Sequence, residues 1–86
     1  MSSWEDKYMT LLADLQDSET SMGDRLRLLR YKCGKPLTEV AEDVGLHWQT
    51  IQAWESNRGG ANALLLGYLA KYYGASMDYI VFGEES

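Results

Sequence analysis

Residues 34–60 read GKPLTEVAEDVGLHWQTIQAWESNRGG, and their pattern predicts two short helices joined by a tight turn. Four apolar or small residues recur at the spacing that places side chains on one face of a first helix: Leu37, Val40, Ala41 and Val44. Gly45 follows, and glycine tolerates the positive φ with which a chain often leaves a helix. Ile51 and Trp54, three residues apart, indicate the buried face of a second helix.

A close crossing of two helices restricts the residue types at their contact. The residue over which the second helix passes must be small, and Ala41 meets this requirement. The remaining contact positions must be apolar, and all of them are: Val40, Val44, Leu46, Ile51 and Trp54. This agreement indicates a helix-turn-helix. The chain resembles the lambda and 434 repressor and Cro-like family of DNA-binding domains, also called the Xre family, over residues 23–83.

The resemblance implies an all-α fold, a five-helix lambda-repressor-like domain, and a transcriptional regulator of bacterial or phage type. Repression by blocking access of polymerase is the implied action, and activation is the alternative. We expect no enzyme, because the sequence has one histidine, no glycine-rich phosphate loop and no nucleophile beside a base. Cys33 and His47 are too few for a conventional zinc site, so no metal or other cofactor is expected. Cys33 is interpreted as a packed or partly exposed residue at a helix end.

The composition fits one small domain, with 86 residues, 45% hydrophobic residues and one proline. No segment approaches the roughly 20 consecutive apolar residues of a transmembrane helix, and the N-terminus lacks the features of a signal peptide. We therefore expect no membrane association and a cytoplasmic, nucleoid-associated protein.

The net charge of −5 argues against nucleic-acid binding only if the charge is spread evenly. It is not: residues 1–24 carry six acidic residues and one lysine, whereas residues 25–83 carry seven basic and five acidic residues. The helix-turn-helix therefore lies in a part of the chain with a net charge of +2.

Residues 1–21 are predicted to form an acidic amphipathic helix and a connector, ahead of the helix-turn-helix domain at 22–86. The apolar residues that define this helix, from about Trp4 to Gln16, are Trp4, Tyr8, Leu11, Leu12 and Leu15. Three roles are possible for this helix. The first is to pack on the domain and enlarge the core, the second is to bind a protein partner or a second copy, and the third is to limit non-specific DNA binding by repulsion.

Three further helices are delimited by N-terminal caps and C-terminal glycines: Ser21 to Gly34, Asn62 to Gly74 and Ser76 to Gly83. Ser21 followed by Asp24 resembles a capping box, so the first of them is expected to begin near Met22. Leu26 and Leu29 mark its buried face. Its basic residues are expected on the other faces: Arg25, Arg27, Arg30 and Lys32.

The resemblance places the recognition helix at about residues 47–56, with these outward positions as candidates for base reading: Trp48, Gln49, Gln52 and Ala53. Gln49 is the first choice, because an amide pairs with N6 and N7 of adenine. A glutamine that is merely solvated is the alternative. Trp48 either presses on a thymine methyl group or sugar, or belongs to a protein interface.

Candidates for phosphate contact lie near the ends of the two helices: Lys35, Thr38, His47, Thr50, Asn57 and Arg58. Arg58 is the strongest, because it is cationic and follows the recognition helix, where the resembling family contacts phosphate. Leu37 departs from the family, in which many members have glutamine there. The resemblance also implies a structural ion pair between Arg30 and Glu55.

Apolar residues left outside the predicted core suggest self-association, with these candidates for a dimer contact: Leu65, Tyr68, Met77 and Tyr79. We therefore expect a homodimer on a near-palindromic operator in double-stranded DNA. The alternative is a helix-turn-helix fold reused as a protein-interaction module, for example an antitoxin-like or antirepressor partner bound through the N-terminal helix. Leu37, Trp48 and the acidic helix favour this alternative.

Overall fold

The computed structural model describes residues 3–15, 20–58 and 62–83. These residues form six helices and no strand: α1 (Ser3–Asp14), α2 (Met22–Cys33), α3 (Leu37–Val44), α4 (Trp48–Glu55), α5 (Ala63–Tyr73) and α6 (Met77–Phe82). The predicted fold class, a five-helix domain with an additional N-terminal helix, is confirmed. The predicted end of α1 at Gln16 lies outside the described residues. None of the six helices has the length and apolar character needed to cross a membrane.

The helix ends follow the predicted capping signals. Ser21 Oγ accepts a hydrogen bond from the Asp24 N–H at 3.1 Å, and Asp24 Oδ2 accepts one from the Ser21 N–H at 3.0 Å. This reciprocal capping box satisfies N–H groups that have no partner within α2. At the other end of α2, Gly34 adopts a left-handed φ of 70° and donates its N–H to carbonyls of the last turn.

All five helices from α2 to α6 contribute to the core, which consists of nine buried residues: Leu26, Val40, Ala41, Ile51, Trp54, Leu66, Leu69, Ala70 and Ile80. Val44 and Leu46 pack against it as half-buried residues, so the predicted contact of the helix-turn-helix is confirmed. Leu28 is also buried, which the assigned face of α2 did not include, and Cys33 is exposed at the end of α2.

α1 packs against α2 but contributes no buried residue. The ring of Trp4 lies 5.9 Å from the ring of Tyr31, so the start of α1 lies beside the end of α2. Met9 and Leu12 remain 56% and 40% exposed. The helix therefore covers the outer face of α2 and leaves part of its own apolar surface uncovered.

Arg25, like Arg30, is buried, contrary to the expectation that the basic residues of α2 lie on its other faces. Its side chain is buried, and Nε donates to the Ile80 carbonyl at 2.9 Å while an Nη donates to the Val81 carbonyl at 3.0 Å. A cation is favourable near the C-terminal carbonyls of a helix, so Arg25 fastens the end of α6 to α2.

Candidate nucleic-acid interface

α4 presents three of the base-reading candidates on one side. Gln49 and Gln52 are exposed, Ala53 is half-buried, and all three line one shallow depression together with Arg58. The opposite side of α4 is anchored in the core by Ile51 and Trp54. The structure therefore brings two amide side chains and a guanidinium group onto one continuous surface.

His47 caps the N-terminus of α4. Its Nδ1 atom accepts a hydrogen bond from the Gln49 N–H at 3.2 Å, and its ring stacks with the ring of Trp48 at a centroid distance of 6.0 Å. An imidazole nitrogen accepts a hydrogen bond only when it carries no proton, so the capping form is neutral. A protonated His47 bound to phosphate would give up this cap. Trp48 is 39% exposed beside it.

The Arg30–Glu55 ion pair is present at the other end of α4. Arg30 Nε and an Nη donate to the two Glu55 oxygens at 2.8 and 3.1 Å, and both side chains are buried. Burial alone would lower the pKa of Arg30, but the hydrogen bond and the charge of Glu55 outweigh it and raise that pKa above its ordinary value. Arg30 also donates to the Lys35 carbonyl at 3.1 Å. The pair thus connects α4, α2 and the turn before α3.

Asn57 fixes the chain as it leaves α4. Its φ of 59° is left-handed, a conformation that asparagine tolerates better than most residues. Its Oδ1 accepts from the Gly23 N–H and its Nδ2 donates to Ser21 Oγ, each at 2.9 Å. The sequence predicts Asn57 as a phosphate contact, whereas in the structure both ends of its side-chain amide are bound at the start of α2. The Arg58 N–H continues this turn by donating to the Ala53 carbonyl at 2.7 Å.

Gly23 makes the close approach of α2 to α4 possible. A Cβ atom at this position would overlap the carbonyl oxygen of Glu55 and lie 2.8 Å from Asn57 Oδ1. Arg27 spans the same contact by donating to the Glu55 carbonyl at 3.3 Å. This contact is not among the predictions made from the sequence, although a glycine in the first turn of a helix, where helix propensity disfavours it, indicates close packing.

The other phosphate candidates occupy different environments. Thr38 is exposed in the first turn of α3, and Thr50 is half-buried in the first turn of α4. Lys35 makes ion pairs with Glu39 and Asp43, so it is engaged within the domain. Leu37 is half-buried against the core, so an apolar residue suits this position.

A family model described as Helix-turn-helix matches residues 26–80, which span the whole buried core. The chain belongs to this helix-turn-helix family of Xre and lambda Cro-like domains. The matched residues begin within α2, so α1 lies outside the part that this model describes. Comparisons with curated proteins and with solved structures gave no significant match.

The candidates for a dimer contact differ in exposure within this helix-turn-helix domain. Leu65, Met77 and Tyr79 are half-buried and pack against the core, whereas Tyr68 is 52% exposed. The large apolar residues of α5 and α6 that reach solvent most freely are Leu64 and Phe82, at 67% and 69% exposure. The exposed apolar surface of α5 and α6 therefore lies mainly at Leu64, Tyr68 and Phe82. Of these three, only Tyr68 is among the predicted candidates for a dimer contact.

Within residues 3–15, 20–58 and 62–83, no three His, Cys, Asp or Glu side chains group as a metal site would require.

Proposed function

We propose that this protein is a sequence-specific DNA-binding transcriptional regulator, with α4 placed in the major groove of double-stranded DNA. The observation that carries the proposal is the surface shared by Gln49, Gln52 and Arg58. Side-chain amides pair with the edge of adenine, and a guanidinium group binds phosphate oxygens. Base reading and backbone anchoring are thereby combined on one helix and its exit.

The way in which α4 is held supports this proposal. The buried Arg30–Glu55 pair and the Asn57 amide fix its C-terminal end, and the His47 cap fixes its N-terminal end. A surface that is rigid before binding loses less conformational entropy when it docks. α4 therefore suits a role in which side chains must reach base edges in a defined register.

We further propose that the protein binds as a homodimer, with two copies of α4 in successive major grooves about 34 Å apart on a near-palindromic operator. Leu64, Tyr68 and Phe82 are exposed apolar residues from which a dimer contact can be built. Repression by blocking access of RNA polymerase is the simplest outcome of such binding.

The second candidate function is a protein-interaction module. It is favoured by Trp48, which is 39% exposed beside the depression on α4, and by Met9 and Leu12, which are exposed on α1. Tryptophan is enriched among the residues that dominate protein interfaces, and exposed apolar surface commonly marks one.

A selection from random DNA duplexes at two salt concentrations separates the two functions. The proposed function predicts enrichment of a symmetric motif and an affinity that falls as salt rises, because cations at the interface displace counterions. Failure to enrich any motif contradicts sequence-specific binding. If the chain then forms a stable complex with a protein partner that is lost on Trp48→Ala, the interaction module is the better account.

A further inference from the structure

Lys35 lies in the turn between α2 and α3, two residues before α3 begins. In a domain that binds DNA as proposed above, the start of α3 offers N–H groups and the positive end of a helix dipole to phosphate. A lysine beside it would add a cation, and each phosphate contact made by a cation strengthens binding to any sequence. The position of the Lys35 ammonium group therefore bears on how strongly the domain binds DNA in general.

The ammonium group of Lys35 is directed away from the start of α3. Nζ lies 3.5 Å from Glu39 Oε2 and 3.4 Å from Asp43 Oδ2. Residues 39 and 43 lie successively further along α3, so the side chain of Lys35 runs along the helix toward its C-terminal end. Its charge is thereby drawn away from the N–H groups that would meet a phosphate.

Tyr72 of α5 holds the acceptor in place. Its hydroxyl donates to Asp43 Oδ2 at 2.6 Å, which is the same oxygen that binds Lys35. The Lys35 Nζ also lies 5.4 Å from the centroid of the Tyr72 ring, within the range of a cation–π contact. The hydrogen bond from Tyr72 lowers the pKa of Asp43, while hydrogen bonds with Tyr72 and Asp43 raise the pKa of Lys35. Both partners therefore stay charged at neutral pH.

We propose that Asp43 and Tyr72 are positioning residues that hold Lys35 along α3 and thereby withhold its charge from the DNA backbone. The inference rests on the proposed DNA-binding function. An exposed ion pair is weak and screened by salt, so the network opposes the phosphate contact without abolishing it. The network reduces the sequence-independent part of the binding free energy. The contacts of α4 with bases then contribute a larger fraction of that free energy.

The test is the salt dependence of binding to a random duplex. Asp43→Asn retains the size of the side chain and removes its charge. Glu39, in the first turn of α3, then remains beside Lys35, so the ammonium group lies nearer the start of α3 and within reach of phosphate. The plot of log K against log salt therefore becomes steeper by up to about 0.9, with tighter binding at low salt. Lys35→Gln changes the slope little in the wild type and abolishes the gain in the Asp43→Asn background. Tyr72→Phe gives a smaller change in the same direction as Asp43→Asn.

Glu42→Gln is the matched control, because it removes the same charge from the neighbouring position of α3. If Glu42→Gln steepens the slope as much as Asp43→Asn, the effect is one of general charge and the proposal is overturned. A slope unchanged by Asp43→Asn also overturns it. So does a gain that persists after Lys35→Gln.

A second measurement needs no DNA. Reductive methylation of Lys35, followed by mass spectrometry of the folded protein, should be faster in Asp43→Asn than in the wild type and unchanged in Glu42→Gln. Equal rates in wild type and Asp43→Asn overturn the network itself. If the rates differ as expected but no variant binds any duplex, the proposed function fails and the DNA role of Lys35 fails with it, so the two failures are distinguishable.

Discussion

Replacing Gly23 by alanine should destabilise the domain, although the same change inside a helix ordinarily stabilises it by roughly 0.5–1 kcal/mol. The new methyl group would overlap the Glu55 carbonyl oxygen and lie 2.8 Å from Asn57 Oδ1. Glu55 cannot move away freely, because its carboxylate is bound to the buried Arg30. Relief therefore requires the end of α4 to separate from α2.

The expected loss in the free energy of unfolding of Gly23→Ala follows from these contacts. An additional methyl group in a packed contact costs about 1–3 kcal/mol. Displacing Asn57 also weakens its hydrogen bond to the Gly23 N–H, which contributes about 1 kcal/mol. Because the helix propensity of alanine returns up to about 1 kcal/mol, we expect the free energy of unfolding to fall by about 1–3 kcal/mol.

Gly67 provides the matched control, because it lies in α5 and a Cβ atom there meets nothing within 4 Å. Gly67→Ala should raise the free energy of unfolding by about 0.5–1 kcal/mol. Urea denaturation of both variants measures the two changes, provided that the m-values match that of the wild type. If Gly23→Ala is as stable as the wild type or more stable, the close contact between α2 and α4 is not as described.

Three other predictions address stability and charge. His47→Ala should lower the free energy of unfolding by about 1 kcal/mol in urea, whereas His47→Ser should retain most of it because serine also caps; equal losses would exclude the cap as the cause. Tyr73→Phe should leave stability at neutral pH unchanged or raise it by about 1 kcal/mol, because the hydroxyl is buried without a partner among the described residues. Burial raises the pKa of Tyr73, so the free energy of unfolding of the wild type falls as the pH rises above the ordinary tyrosine pKa of about 10. The same fall in Tyr73→Phe would contradict this cause. Deleting residues 1–19, which leaves Thr20 to bind Arg25, should strengthen binding to random duplexes by removing acidic residues; unchanged binding with lower stability would make α1 purely structural.

Helix boundaries were predictable because their causes are local. The capping box joins Ser21 and Asp24, three residues apart, and left-handed glycines such as Gly34 and Gly74 end helices whatever packs around them. The crossing of α3 and α4 was predictable for a related reason, since it requires a small residue at Ala41 and apolar residues around it. These features can be read from a short segment of sequence.

The hydrogen bonds that hold the ends of α4 and α6 were harder to predict from the sequence, because their partners lie far apart along the chain. Arg25 binds carbonyls 55 and 56 residues away, and backbone acceptors leave no trace in the sequence. Asn57 accepts a hydrogen bond from the Gly23 N–H, 34 residues away, and nothing in the sequence around Asn57 indicates this partner. Its contact with phosphate stays a prediction. Leu65 and Met77 are half-buried against the core, whereas the periodicity of the sequence leaves them outside it. Periodicity identifies one buried face of a helix, but a helix packed between neighbours also half-buries the residues that flank this face.

We propose that DNA recognition by α4 and its exit is divided between base reading by Gln49 and backbone anchoring by Arg58. The most direct measurement compares Gln49→Ala and Arg58→Ala in titrations against the selected duplex and its single-base variants at several salt concentrations. We expect Gln49→Ala to weaken binding by about 1–3 kcal/mol and to relax the preference at particular base pairs. Arg58→Ala should weaken binding to all duplexes alike and reduce the salt slope by about 1. Equal and uniform losses from both substitutions, or no loss from either, would show that recognition is not divided in this way.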